Sequence, residues 1–181
     1  LEHAAHPVVA SAASAHRHLR IGRTGDPYAD LLPTILAQRI TGGEAVRQWA
    51  ALCRLLGEPA PGPFAGMLLP PAPDTMAATP TWRLHRLGIE RKRAAALVEV
   101  ARHAPKLHRW TALEPAEAGQ RLALLRGVGP WTIGNVLRTA WGDPDAVAVG
   151  DFHHKHTVSW ALAREPRGTD ERMLELLEPY R

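Results

Sequence analysis

One cysteine, Cys53, stands in 181 residues. That excludes an intrachain disulfide, a cysteine-rich zinc site and a four-cysteine iron–sulfur cluster. Cys53 itself lies in an apolar helical stripe, so it reads as a buried thiol rather than a nucleophile. No apolar run approaches membrane-spanning length, so no membrane partner is expected. The N-terminus lacks the basic-then-apolar pattern of a secretory leader, and a cytosolic compartment (with the nucleoid, in a bacterium) is the expectation. The chain shows no sequence repeat and no long block of one charge. No stretch alternates apolar and polar residues in the manner of a half-buried strand.

What the chain does contain is helical pattern. Tyr28, Leu31, Leu32, Ile35 and Leu36 fall on one helical face, and Asp26-Pro27 supplies a cap and a first-turn proline. Ala45, Trp49, Leu52, Cys53 and Leu56 form a second face. The proline-dense stretch 58–73 predicts a loop, after which Asp74 is expected to cap a short helix ending before Pro80. Ala94, Leu97, Val100, Ala101 and Ala104 mark a further helix after a turn at Leu87-Gly88. Pro115 opens the helix that carries Leu122 and Leu125. Trp160, Leu162, Met173, Leu174 and Leu177 read as core. The expected fold class is all-α. With 45% hydrophobic residues the chain can bury a proper core, as one large domain or as two small lobes sharing a cleft. A net charge of +4 and a pI of about 9.8 suit a nucleic-acid partner without requiring one.

The richest stretch is Leu125-Arg126-Gly127-Val128-Gly129-Pro130-Trp131-Thr132, followed by an apolar helix and then Val147-Ala148-Val149-Gly150-Asp151. It predicts a tight hairpin built on Gly127 and Gly129, both expected in backbone angles that other residues resist. The helix that follows points free N–H groups over the hairpin, which favours a phosphate. Gly142-Asp143-Pro144-Asp145 breaks that helix, and 147–149 is expected to be extended. Asp151 follows the hairpin by about twenty residues. That spacing allows one helix and a loop that brings the carboxylate back beside a bound strand. Asp151 is equally placed to cap a helix over 152–163, and the two roles are compatible.

These residues resemble the helix-hairpin-helix DNA glycosylases, most closely the 3-methyladenine DNA glycosylase II type, from about Tyr28 to the C-terminus. Four segments carry the likeness: Ile35 to Thr41, Leu87-Gly88 with Lys92-Arg93-Ala94, the hairpin 125–132, and Val147 to Asp151. The resemblance implies a single catalytic core over 1–181 made of two helical lobes. One lobe spans about 28–132, with the helix-hairpin-helix at 115–140, and the other takes 1–27 and 133–181. It implies a monomer acting on double-stranded DNA that contains a damaged base, with no cofactor. It also implies that the chain is a core or a piece of a longer protein, because Pro179-Tyr180-Arg181 resembles a motif that continues further in relatives.

The resemblance makes Asp151 the catalytic carboxylate, placed to stabilise an oxocarbenium-like sugar and to orient water. Gly127, Gly129 and Thr132 become part of a phosphate anchor. Trp131 occupies the position where bifunctional relatives carry a nucleophilic lysine. A tryptophan has no such amine, so base release without strand cleavage is expected. An indole face also attracts a cationic alkylated purine, although core packing is the plain alternative for any tryptophan. Asn135 shares that face, where close relatives carry an aromatic, and implies a more polar pocket. Arg39 fills the gap left by a flipped nucleotide, binds a phosphate, or is an ordinary exposed arginine. Gln38 contacts a base or caps a neighbouring element. His153 is placed for a phosphate contact, and Lys155 for a phosphate contact or for solvent. His153, His154 and His156 invite a metal reading, but a His-x-x-His pair without a further ligand argues against it. The resemblance also allows a monovalent cation on main-chain carbonyls of the hairpin, with no metal held by side chains. The alternatives in function are a non-catalytic helix-hairpin-helix binding module and a glycosylase for mismatched or oxidised bases.

Overall fold

The computed structural model describes residues 6–181. Residues 1–5, which the lobe assignment included, lie outside that range. The described residues form eleven α-helices and no strand. They are α1 (Pro7–Ala15), α2 (Pro27–Leu36), α3 (Gly42–Leu56), α4 (Pro73–Ala78), α5 (Thr81–His85), α6 (Arg91–Arg102), α7 (Ala104–Trp110), α8 (Pro115–Leu122), α9 (Pro130–Val136), α10 (His154–Ala163) and α11 (Asp170–Leu177). None is long and apolar enough to cross a membrane.

Helix starts follow local chemistry. Asp26 Oδ1 accepts from Ala29 N–H at 3.0 Å, with Pro27 at the first helical position. Asp74 is not the cap of α4: Pro73 opens that helix after Ala72, and Asp74 lies in its first turn. The loop between α3 and α4 is pinned by a single antiparallel bridge between Pro59 and Leu68. Helices α5 and α7 have five and seven residues, too short to leave a periodicity in the sequence.

Helix α2 is the axis of the larger core. Leu31, Leu32, Ile35 and Leu36 are fully buried among Leu84, Leu97, Leu107, Leu122 and Val136. This core continues past the expected lobe boundary. Helix α9 runs on as a π-helical turn, Leu137–Trp141, and Leu137, Ala140 and Trp141 belong to the same apolar cluster. Gly142, at φ +70°, ends it in the left-handed region. The residues before α2 join here too, since Thr24 and Gly25 donate their N–H groups to the carbonyls of Thr139 and Ala140.

Helices α10 and α11 pack on each other, with Met173 and Ser159 buried. Trp160, expected in the core, is instead 53% exposed with the Arg164 guanidinium 5.7 Å from its ring, and Leu174 is also exposed. A two-helix unit has too little interior to enclose an indole. Cys53 is buried as expected. Burial pushes its thiol pKa up, against a weaker lowering by Arg54, which suits packing rather than nucleophilic chemistry.

Candidate active site

The hairpin is fixed from two sides. Gly127 has φ +88°, and a Cβ there would meet the Ala96 Cβ on α6 at 2.6 Å, so both conformation and packing demand glycine. Its carbonyl accepts from Gln38 Nε2 at 2.9 Å, and the same nitrogen donates to Thr132 Oγ1 at 2.9 Å. Gln38 thus ties the end of α2 to the hairpin and serves as a brace. Thr132 is 2% exposed, so its hydroxyl faces the interior, and any strand contact from it falls to its main-chain N–H. Gly129 departs from expectation: at φ −102° and ψ −179° it is ordinary extended backbone. Its contribution is open space, with nothing within 4 Å of a Cβ built there. The carbonyls of Leu125 and Gly127 accept from Val128 N–H and Gln38. Each keeps a second lone pair.

The return to Asp151 depends on a close approach. Gly134 on α9 lies under the main chain of Val147 and Ala148, where a Cβ would sit 2.6 Å from the Val147 carbonyl carbon and 2.8 Å from the Ala148 nitrogen. The 147–149 segment is not extended. Val149 N–H bonds back to the Val147 carbonyl and Asp151 N–H to that of Ala148, so the chain curls towards the hairpin helix.

There the carboxylate is gripped at both oxygens. Oδ1 accepts from the N–H groups of His153 at 2.8 Å and His154 at 3.0 Å, which makes Asp151 a cap for the start of α10. Oδ2 accepts from the Trp131 indole N–H at 3.0 Å. Oδ1 is saturated by two donors, whereas Oδ2 keeps a free lone pair. The side chain is 21% exposed. Burial raises its pKa, but the Trp131 bond, the two main-chain donors and the nearby His154 outweigh that and hold it below the usual aspartate value. The result is an ionised, oriented carboxylate beside the hairpin.

Removing the indole donor has a definite sign. Trp131→Phe is expected to raise the Asp151 pKa, read from the carboxyl chemical shift in a pH titration. Because the folded-state pKa is depressed, Asp151 stabilises the fold above its unfolded pKa. That contribution is lost as pH falls through the folded value.

The remaining candidates fall around this centre. Trp131 is half-buried, with its N–H turned to Asp151. Asn135 folds back on its own helix, donating to the Trp131 carbonyl at 2.8 Å and accepting from Arg138 at 3.3 Å. Arg39 is exposed at φ +58°, an uncommon conformation for a side chain of its size, at the tip of the α2–α3 turn. His153 is exposed, with the Phe152 ring edge-on to it. Lys155 is neither free nor merely solvated: its Nζ lies 3.4 Å from Asp170 Oδ2. His156 Nδ1 accepts from Gly168 N–H, and among the described residues no three metal-ligating side chains gather.

Asp170 is a residue that sequence reasoning passed over. Its Oδ1 accepts from Gly150 N–H at 3.0 Å, which anchors the turn before Asp151 to the start of α11. In the sequence it is one of several acids at a helix start, nineteen residues beyond Asp151, and no spacing rule connects the two.

No protein-family model matches this sequence, and no curated protein does. Solved structures do. The 3-methyladenine DNA glycosylase of Archaeoglobus fulgidus superposes with a TM-score of 0.81 at 19% identity, over 97% of this chain and 61% of that one. A Clostridium acetobutylicum 8-oxoguanine glycosylase/lyase, in complex with double-stranded DNA, gives 0.76 at 16% identity over 95% and 60%. A DNA-3-methyladenine glycosidase of Bacillus halodurans gives 0.68 at 15% identity over 97% and 83%. The chain thus spans about three fifths of the first two proteins. Its fold is that of the helix-hairpin-helix DNA glycosylases.

Proposed function

We propose that this chain is a monofunctional DNA glycosylase that releases an alkylated purine, of the 3-methyladenine or 7-methylguanine kind, from a nucleotide flipped out of duplex DNA. The observation that carries the reading is the Asp151 carboxylate, held ionised between the indole N–H of the hairpin helix and the first amides of α10. A helix cap needs only Oδ1. The second oxygen is oriented by a residue twenty positions away and keeps a lone pair for chemistry.

The hairpin around Gly127 and Gly129 grips the strand, and the everted sugar lies with C1′ towards Oδ2. As the glycosidic bond breaks, its electron pair passes to the purine nitrogen and neutralises the cationic base. The sugar gains oxocarbenium character, which the carboxylate stabilises. Water then bonds to C1′ and loses a proton to Oδ2, from which it returns to solvent. The products are a free base and an abasic site. The leaving base is already cationic, so no general acid is required. The Trp131 ring, set against Asp151, supplies the electron-rich wall for such a base, with Asn135 one turn along.

A base-release assay on duplexes carrying one lesion each tests the reading. Release is expected from N3- or N7-alkylated purines, and its absence from every lesion would sink the enzyme and leave a binding module. Borohydride added during turnover is expected to trap no covalent protein–DNA adduct, because the hairpin position holds Trp131 in place of a lysine. A trapped adduct would overturn the monofunctional assignment.

A further inference from the structure

Asp151 is held through its side chain by Trp131 and by the first amides of α10. One residue earlier, a bond crosses from the main chain to α11. Gly150 has φ +91° and is exposed, and nothing lies within 4 Å of a Cβ built on it. Packing against its α-carbon therefore does not fix the turn there. Its N–H donates to Asp170 Oδ1 at 3.0 Å. The other oxygen of Asp170 lies 3.4 Å from Lys155 Nζ, in the first turn of α10. A single carboxylate thus joins the residue before Asp151 to the residue four positions after it.

Asp170 can act as a fixed point because the start of α11 is tied to α10. Gly168 packs on the Lys155 main chain, where a Cβ would meet the carbonyl oxygen at 2.8 Å. Its N–H donates to His156 Nδ1 at 3.2 Å. Arg172 closes the loop between the two helices by reaching both oxygens of Glu165, Nε at 3.1 and 3.2 Å and Nη2 at 2.8 Å. Thr169 Oγ1 caps α11 by accepting from Arg172 N–H at 3.2 Å, so Asp170 is not needed as the cap. An acid in a first helical turn is common, because the helix dipole favours it. That role asks for no partner twenty positions away in the chain. Lys155 and Asp170 are 25% and 24% exposed, so the pair is partly shielded from water, and the ammonium neutralises a second acid at the Asp151 turn.

We infer that Asp170 is a positioning residue for Asp151, with Lys155 as its counter-ion: it pins Gly150 so that Oδ2 of Asp151 stays on the Trp131 indole N–H. The consequence for base release rests on the glycosylase reading above, whereas the tie itself does not. With the Gly150 N–H released, the turn can rotate about the glycine, and the carboxylate moves relative to the hairpin helix.

Asp170→Ala removes both ties. Single-turnover base release at saturating protein is expected to slow by roughly tenfold, with duplex affinity held within about twofold. In DNA-free protein the indole N–H resonance of Trp131, assigned by its loss in Trp131→Phe, is expected to shift upfield as its bond to Asp151 weakens. The double variant K155M/D170N keeps an oxygen for the Gly150 N–H and leaves no ammonium to compete for it. It should bring both the rate and the resonance back towards their wild-type values. A purely structural Asp170 predicts a lower melting temperature for Asp170→Ala, with wild-type rate and resonance well below that temperature, and this result overturns the inference. A double variant as impaired as Asp170→Ala overturns it too. A wild-type protein that releases no base overturns the proposed function alone, since the resonance reports the tie without DNA.

Discussion

Asp151→Asn is expected to slow base release by about 10²–10⁴-fold while leaving duplex affinity within about twofold. The substitution is discriminating because asparagine can still do half of what the aspartate does. Its side-chain oxygen accepts from the His153 and His154 amides nearly as well as a carboxylate, and Asn and Asp are comparable helix caps. The start of α10 should therefore survive, and thermal melting should move little. What disappears, on the proposed function, is the negative charge facing C1′ and the site that takes the water proton. The amide also turns an N–H₂ donor towards the Trp131 indole N–H, where the carboxylate presented an acceptor. Single-turnover release and equilibrium binding on the same duplex read the two effects apart. Equal release by both proteins would remove Asp151 from the chemistry and reduce it to a cap.

Gly134→Ala is expected to damage both the fold and turnover by adding a single methyl group. The new Cβ would lie against the main chain of Val147 and Ala148, and a backbone cannot rotate away as a side chain can. Overpacking of this kind destabilises by on the order of 3 kcal/mol, a fall of roughly 6–12 °C in Tm for a chain of this length. The functional cost follows from direction. Relief of the clash pushes the 147–151 segment off α9, which lengthens the bond between Trp131 and Asp151. Displacement of a reacting group by about 1 Å costs about 10²-fold in turnover. The variant should therefore lose kcat at temperatures well below its own midpoint. A variant that melts early but turns over normally at low temperature would show that the segment's position does not set that of Asp151.

Much of this centre was legible as order along the chain. The hairpin glycines, the tryptophan after them and an aspartate some twenty residues on point to a tight turn and a returning carboxylate, and the helices that carry them announce themselves by apolar period and by proline at their starts. What spacing does not encode is which polar atoms meet. Gln38 and Gly127 are 89 positions apart, and nothing local in either marks a bond. Trp131 reads as a pocket wall only through the family resemblance, and its N–H direction is decided by where the 147–151 loop lands. Lys155 looks free because Asp170 belongs to another helix. Trp160 misleads in the opposite sense, since a tryptophan is buried only where there is enough protein to bury it.

The clamp on Gly127 has a mechanical meaning. With Ala96 against its back and Gln38 on its carbonyl, that turn is as rigid as the core it touches. On the proposed function, a stiff turn cannot mould itself to a straight double helix, and the work of bending and unstacking would fall on the nucleic acid. Sequences that kink readily, and nucleotides whose damage has already loosened their neighbours, would then be the first to yield. Part of the selectivity of such a glycosylase would be exercised before any atom of the base is touched.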